Sequence, residues 1–181
     1  EALNNINKTS EHLSNTIDDF RNFFSPNKEM NKFYVSQLIK KSKDLIKSRF
    51  DKFNIKVIEH IDDIEILSYQ NELFQVILNL FSNSIDVLSS SQIENKIIYI
   101  KIYHDENNLY IEFLDNGGGI KDEFINRVFE PYFTTKHKSQ GTGIGLYMSL
   151  QIVTKHLNGE ISVKNDTFIE NNTAYFGAKF T

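Results

Sequence analysis

The sequence predicts an α+β domain, a two-layer sandwich in which helices pack on one face of a single sheet. Three observations lead there. The segments "KIIYIKIYHD" and "NLYIEFLD" alternate apolar and polar residues, as half-buried strands do. Longer segments such as "ELFQVILNLFSNSIDVL" repeat their apolar residues at helical spacing. The two kinds of segment are mixed without the strict alternation of a βαβ protein. With 181 residues, 40% of them hydrophobic and 24% charged, the chain can bury a core and hold one domain plus an appendage.

The appendage comes first. Leu3, Ile6, Ser10, Leu13, Ile17, Phe20 and Phe24 are spaced alternately three and four apart, a heptad seam interrupted only at Ser10. A stripe this narrow favours a second helix as partner over the domain's own core. Residues 1–24 are therefore expected to be an appended helix, and 25–32, with Pro26 among polar neighbours, a linker. The main domain is expected over 33–181. It opens with an amphipathic helix, "FYVSQLIKKSKDLIKSRF", whose apolar face carries Val35, Leu38, Ile39, Leu45 and Ile46. "IKVIEH" and "IEILS" read as short strands, and a long helix follows from about Asn71 to Leu88. The two alternating strands come next, joined through the polar "DENN". "KDEFINRVF" is a short helix, "EPYFTTKHKSQGTG" is irregular, and "IGLYMSLQIVTKHL" is helical. "GEISVKN" and "TAYFGAKFT" close the chain as strands.

Composition excludes several functions. A formal net charge of −4 leaves no basic footprint, so no nucleic-acid partner is expected. Without cysteine there is no disulfide or thiolate chemistry, which fits a reducing compartment. No apolar run approaches the ~20 residues of a membrane span, so no membrane contact is expected within this chain, and a cytoplasmic location is. The opening "EALNNINKTS" has neither an initiator methionine nor a signal peptide, and a piece of a longer protein is expected.

The long helix carries a polar stripe. At ~100° per residue, Glu72, Gln75, Asn83 and Asp86 fall within roughly 40° of Asn79, and apolar residues cover most of the remaining circumference. A surface helix needs an apolar face of only about 100° or somewhat more, so this stripe is expected to line a cleft. An asparagine carbonyl suits a hard cation that also holds phosphates, although spacing alone leaves a ligand and a solvated face both open.

Two glycine motifs follow. "DNGGGI" (Asp115 to Ile120) comes after a strand but leads into a helix, which argues against a simple hairpin turn. Its glycines let the backbone approach a ligand, and an ionised Asp115 could accept a hydrogen bond from an amine such as that of adenine while rejecting guanine. "GTGIGL" (Gly141 to Leu146) opens a helix, where free N–H groups and the helix dipole attract phosphate. Its spacing is not that of the dinucleotide fingerprint, and the Walker lysine and the protein-kinase loops are absent.

The order of asparagine helix, "DNGGGI", "FEPYFTTK" and "GTGIGL" resembles the ATP-binding catalytic domain of sensor histidine kinases, within the wider GHKL ATPase superfamily. The phrase "FEPYFTTK…GTGIGL" is similar to that of the nitrogen-regulation-like subgroup. The resemblance implies a Bergerat-type sandwich that binds ATP and Mg²⁺, with Asn83 on the metal. It implies catalytic roles for Asn79, Asn83 and Lys136. Nucleotide contacts are implied for those three and for Asp86, Asp115, Gly117, Gly119, Ile120, Phe133, Gly141, Thr142, Gly143, Ile144, Gly145 and Leu146. A further contact near the adenine is implied for Thr173, in "TAYFGAKF". Phe129 to Gly141 would form an ATP lid. The heptad segment resembles the second helix of a dimerisation hairpin, which implies a homodimer of the full-length protein and a response regulator as partner.

The sequence departs from the family at two points. Many members carry a lysine or arginine where Asp86 stands. The phospho-accepting histidine box is also missing: His12 lacks the basic residue and proline that should follow it, and His60, His104, His137 and His156 lack the context too. The acceptor is expected upstream of Glu1. A hydrolytic clamp of the gyrase and chaperone kind would carry a glutamate at position 79 to activate water, and an amide cannot take that proton. A non-catalytic scaffold would show a damaged motif, and none is damaged.

Overall fold

The computed structural model describes residues 29–136 and 141–181. In chain order they form β1 (Asn31–Tyr34), α1 (Val35–Phe53), β2 (Ile55–Ile61), β3 (Glu65–Ser68) and α2 (Gln70–Ser90). Then come β4 (Lys96–His104), β5 (Leu109–Asp115), α3 (Asp122–Ile125), α4 (Gly145–Lys155), β6 (Val163–Glu170) and β7 (Thr173–Phe180). The heptad seam, His12, His137 and residue 140 of the proposed lid lie outside the described residues.

The main sheet has the order β2-β4-β5-β7-β6, with β2 parallel to β4 and every other neighbour antiparallel. Helices α1, α2 and α4 cover one face. Their buried residues Leu38, Ile39, Ile77, Ile85 and Ile152 meet Ile98, Ile100, Ile102 and Phe113 of the sheet. Phe81 stands at the centre, fully buried, with edge-on contacts to Phe50 of α1 at 5.5 Å and to Phe113 of β5 at 5.0 Å. Edge-on aromatic pairs add to the burial of large apolar area, and this one locks the helical layer to the sheet. Helix α1 stops where Asn54 turns left-handed (φ 52°), its N–H bonding back to the carbonyls of Phe50 and Asp51.

Several boundaries differ from the sequence reading. The sheet is not single: β1 and β3 form a separate two-stranded sheet, in register from Asn31↔Ser68 to Tyr34↔Glu65. Residues 31–34, read as linker and helix start, are a strand because Phe33 is drawn into the core and fixes the chain beside β3. Leu45, assigned to the apolar face of α1, is 64% exposed. The segment "KDEFINRVF" keeps only one helical turn, Asp122–Ile125, and continues as turns.

The closing hairpin was also only half visible. Strand β6 runs through "NDTFIE" into a two-residue turn, Asn171-Asn172, both with positive φ (49° and 61°), which matches the twist of the flanking strands. This hairpin pairs with β5 only at Phe113↔Phe180 and Leu114↔Lys179, so its far end is free to fold back. Phe168 stacks on Tyr99 of β4 at 5.2 Å and on Tyr175 at 5.3 Å, over Ile58, Ile97 and Leu114. It covers the centre of the face that the helices leave open.

Candidate functional site

Between α2, the start of α4 and the end of β5 lies a cavity of about 480 Å³. Its polar side is the stripe of α2: Gln75, Asn79, Asn83 and Asp86 all line it, and Ser82 lies among them. The apolar side of α2 is spent on the core through Val76, Ile77, Leu80, Phe81, Ser84, Ile85 and Leu88. The wide apolar arc therefore does what the spacing requires, tilting the asparagines inward rather than to water.

Asn79 is fixed. Its Nδ2 donates to Ser149 Oγ of α4 at 2.8 Å, and a Cβ on Gly145 would land on its side-chain oxygen. The glycine thus lets the first turn of α4 rest directly on the asparagine. That turn has no side-chain cap, and Gly145 and Leu146 face the cavity, so its N–H groups and dipole favour an anion there. Asn83 contrasts with Asn79: its Nδ2 is buried without a hydrogen-bond partner. A half-turn of the amide exchanges nitrogen and oxygen, so this residue, which lines the cavity, keeps hydrogen-bonding capacity that the fold does not use. Among the described residues no cluster of three or more His, Cys, Asp or Glu could hold a metal alone. A magnesium ion at Asn83 would need phosphate oxygens and water for the rest of its shell, as magnesium generally does.

Asp115 also lines the cavity, 4% exposed, at the end of β5. Its Oδ1 accepts from the Gly117 N–H at 2.9 Å and its Oδ2 from Ser84 Oγ at 3.3 Å. Burial nevertheless pushes its pKa up, and these two bonds and one from the Ala178 backbone offset only part of that. The loop after Asp115 is pinned from β6: Asn165 accepts from the Ile120 N–H and donates to the Ile120 carbonyl, both at 2.7 Å. Sequence reading missed Asn165, Ser84 and Ser149, whose residue types carry no local signal; only the β6–β7 hairpin and the packing of α4 on α2 bring them in.

The remaining wall comes from Phe133, Thr134, Thr135 and Lys136 and from residues 141–146. Phe133 packs on the Arg127 guanidinium (4.5 Å) and on Phe124 (5.6 Å), and Phe129 meets Phe180 edge-on at 6.4 Å. Tyr132, between these aromatic residues, is 72% exposed and holds a positive φ of 65°. Its N–H donates to the Gly143 carbonyl at 2.9 Å, tying together the two ends of the stretch. Gly143 itself has φ 66°, and a Cβ there would run into the Tyr132 and Phe133 backbone. Lys136 Nζ reaches Asp86 Oδ2 at 2.7 Å.

Of the residues singled out from the sequence, Glu72, Gly117 and Thr173 do not line this cavity. Gly117 turns away against Val87, its N–H on Asp115. Thr173 pairs with Glu170 at the exposed end of the hairpin, and Ala178 and Phe180 line the cavity instead. The β7 residue beside Asp115 is Ala178, whose backbone bonds to the carboxylate, and not Thr173. Likewise His60 lies against Tyr99, His104 near Asp62, and His156 Nδ1 3.0 Å from Glu72 Oε1, none of them lining the cavity.

Ionised Asp115 has a folded pKa above its unfolded value, so its charge costs stability at neutral pH, and that cost fades as pH falls through the folded pKa. Asp115→Asn is accordingly expected to stabilise the nucleotide-free domain at pH 7 by about 1 kcal/mol. The gain over wild type should shrink on acidification through the raised pKa, read from melting curves across pH.

Residues 68–181 match the family described as histidine kinase-, DNA gyrase B-, and HSP90-like ATPases. Sporulation kinase E of Bacillus subtilis (strain 168) is 33% identical over 135 residues, covering 74% of this chain and 18% of that protein. The chain thus spans less than a fifth of that relative's length. Among solved structures, the catalytic domain of histidine kinase ThkA is 27% identical with a TM-score of 0.63, covering 84% of this chain and 93% of that one. ThkA in complex with the response regulator TrrA aligns with a TM-score of 0.65 at 22% identity, covering 94% of this chain and 48% of that one.

Proposed function

The chain belongs to the histidine kinase-, DNA gyrase B-, and HSP90-like ATPase family, and we propose that it is the ATP-binding catalytic domain of a protein-histidine kinase in two-component signalling. The observation that carries this reading is one cavity lined by three kinds of group that a nucleotide needs. The buried carboxylate of Asp115 suits an amine donor such as that of adenine, and the uncapped first turn of α4 suits phosphate. Asn83, with an amide nitrogen the fold leaves unpaired, suits the ligand shell of a metal. Kinase-named relatives support the same reading.

Binding and orientation are then the chain's share of the chemistry, since phosphoryl transfer depends mainly on position and charge neutralisation. Asp115 would fix the base, residues 141–146 would cradle the phosphates through backbone N–H groups, and Lys136 would reach the terminal phosphate. Magnesium held through Asn83 would neutralise charge on the phosphate oxygens. Asn79, held by Ser149, keeps α4 at the correct distance and cannot act as a base toward water, which favours transfer to a histidine over hydrolysis. Contacts for Gly117 and Thr173 form no part of this arrangement. The acceptor is a histidine outside this chain, a response regulator takes the phosphoryl group next, and the full-length protein pairs as a homodimer through the heptad segment. Among the described residues no helix is long and apolar enough to cross a membrane.

Two measurements test this. Calorimetry should show MgATP bound in clear preference to MgGTP; equal affinities would sink the role of Asp115. Incubated alone with γ-labelled ATP and Mg²⁺, the chain should stay unlabelled. Adding a longer chain that carries an upstream histidine but a disabled "GTGIGL" should place acid-labile label on that partner. Labelling of the chain itself, lost on His12→Ala, would make residue 12 the acceptor and refute the assignment.

A further inference from the structure

A charged cluster at the rim of the cavity includes a residue that none of the nucleotide motifs contains. Asp86, the last polar residue of the α2 stripe, is gripped from two sides. Arg49 of α1 donates from Nη2 to Asp86 Oδ1 at 2.7 Å and from Nη1 to Ser82 Oγ at 3.1 Å. Lys136 donates from Nζ to Asp86 Oδ2 at 2.7 Å. Asp86, Ser82 and Lys136 line the cavity, whereas Arg49 reaches them from behind. All three charged side chains are about one-third exposed, at 38% for Arg49, 34% for Asp86 and 29% for Lys136.

A bare carboxylate is out of place beside a triphosphate, because like charges at short range oppose binding. Two cations on one carboxylate leave the cluster with a net charge of +1. The two cations are not equivalent. Lys136 sits on a flexible stem in the wall of the cavity. Arg49 is held by a planar two-point grip on Asp86 and Ser82.

We propose that Arg49 is a positioning residue for nucleotide binding: it keeps Asp86 neutralised so that Lys136 can leave the carboxylate for the phosphates. The inference rests on reading the cavity as a MgATP site. When Lys136 moves, it exchanges one charge-assisted hydrogen bond for another of the same kind. What stays behind is an Arg49–Asp86 pair rather than an exposed anion facing the phosphates. Without Arg49, either Asp86 keeps Lys136 or its departure uncovers that anion, and both outcomes weaken binding.

The test is a mutant cycle read by calorimetry with MgATP, with adenosine as the phosphate-free control. Arg49→Ala should weaken MgATP about fivefold, the scale of one partly exposed charge interaction, and leave adenosine binding unchanged. Asp86→Asn should bind MgATP somewhat more tightly than wild type, since both cations are released. The double variant should recover most of the loss. A loss that persists undiminished in the Asp86→Asn background would mean that Arg49 touches the nucleotide itself, and the positioning role would be wrong. Wild-type affinity in Arg49→Ala, or an equal loss of adenosine, would also overturn it. Where Arg49→Ala does not fold, Arg49→Lys should retain most of the affinity that Arg49→Gln loses, and equal affinity of these two refutes the role. A wild-type chain that binds adenosine and MgATP not at all would instead remove the reading of the cavity, and the inference with it.

Discussion

Asn83→Ala is expected to lower magnesium-dependent phosphoryl transfer by roughly 10²–10³-fold, the range seen when one preorganised charge-stabilising group is removed. Nucleotide binding without magnesium should survive in large part. The reason lies in what the two asparagines of α2 are doing. Asn79 spends its Nδ2 on Ser149 and its oxygen beside Gly145, so it is part of the joint between two helices. Asn83 lines the cavity and has a buried amide nitrogen with no partner, so this nitrogen contributes no hydrogen bond to the fold. Removing that amide costs no existing hydrogen bond of this nitrogen, and the melting temperature of the nucleotide-free domain should barely change. The same substitution at Asn79 should lower it. Single-turnover transfer to a histidine-bearing partner, with and without Mg²⁺, is the measurement. Transfer by Asn83→Ala at the wild-type rate would exclude it as the metal residue.

Gly143→Ala carries the second large effect, and it should fall on binding. At φ 66° an L side chain is already strained, and its Cβ would meet the Tyr132 carbonyl carbon and the backbone of Phe133, where Phe133 N lies at 2.7 Å. Backbone cannot step aside as a flexible side-chain tip can. The hydrogen bond from Tyr132 N–H to the Gly143 carbonyl should break, and the wall formed by residues 133–136 should separate from the first turn of α4. Loss of such a joint together with strain is worth about 2–3 kcal/mol, or about 30- to 150-fold in MgATP affinity. The core cluster lies elsewhere, so far-ultraviolet circular dichroism should stay that of the wild type. Unchanged affinity by calorimetry would show that residues 129–143 do not need this closure to hold a nucleotide.

Much of the site was legible because it is local. Asn79, Asn83 and Asp86 share a helix, so ~100° per residue places them on one stripe whatever the fold around them. "DNGGGI" and "GTGIGL" are continuous segments whose conformations glycine permits and most residues do not. The misplacement of Thr173 has the opposite character. Which residue of β7 faces Asp115 depends on register between strands more than fifty residues apart in sequence, and periodicity cannot supply that. The structure sets the register at Leu114↔Lys179, which puts Ala178 beside Asp115 and leaves Thr173 at the far end of the hairpin.

The sequence by itself determined the helix of asparagines, the two glycine turns and their order, because backbone propensity and side-chain period act within a few residues. Only the tertiary structure decided what those motifs touch. It put Phe33 into the core and so made residues 31–34 a strand of a second sheet. It folded the β6–β7 hairpin back until Asn165 held the loop of Ile120. It carried Arg49 across from α1 to Asp86, 37 residues away in the chain. Each of these contacts is a choice among chemically similar residues, settled by which packing buries the most apolar surface without leaving a charge alone. That choice depends on the whole chain at once, and no local pattern encodes it.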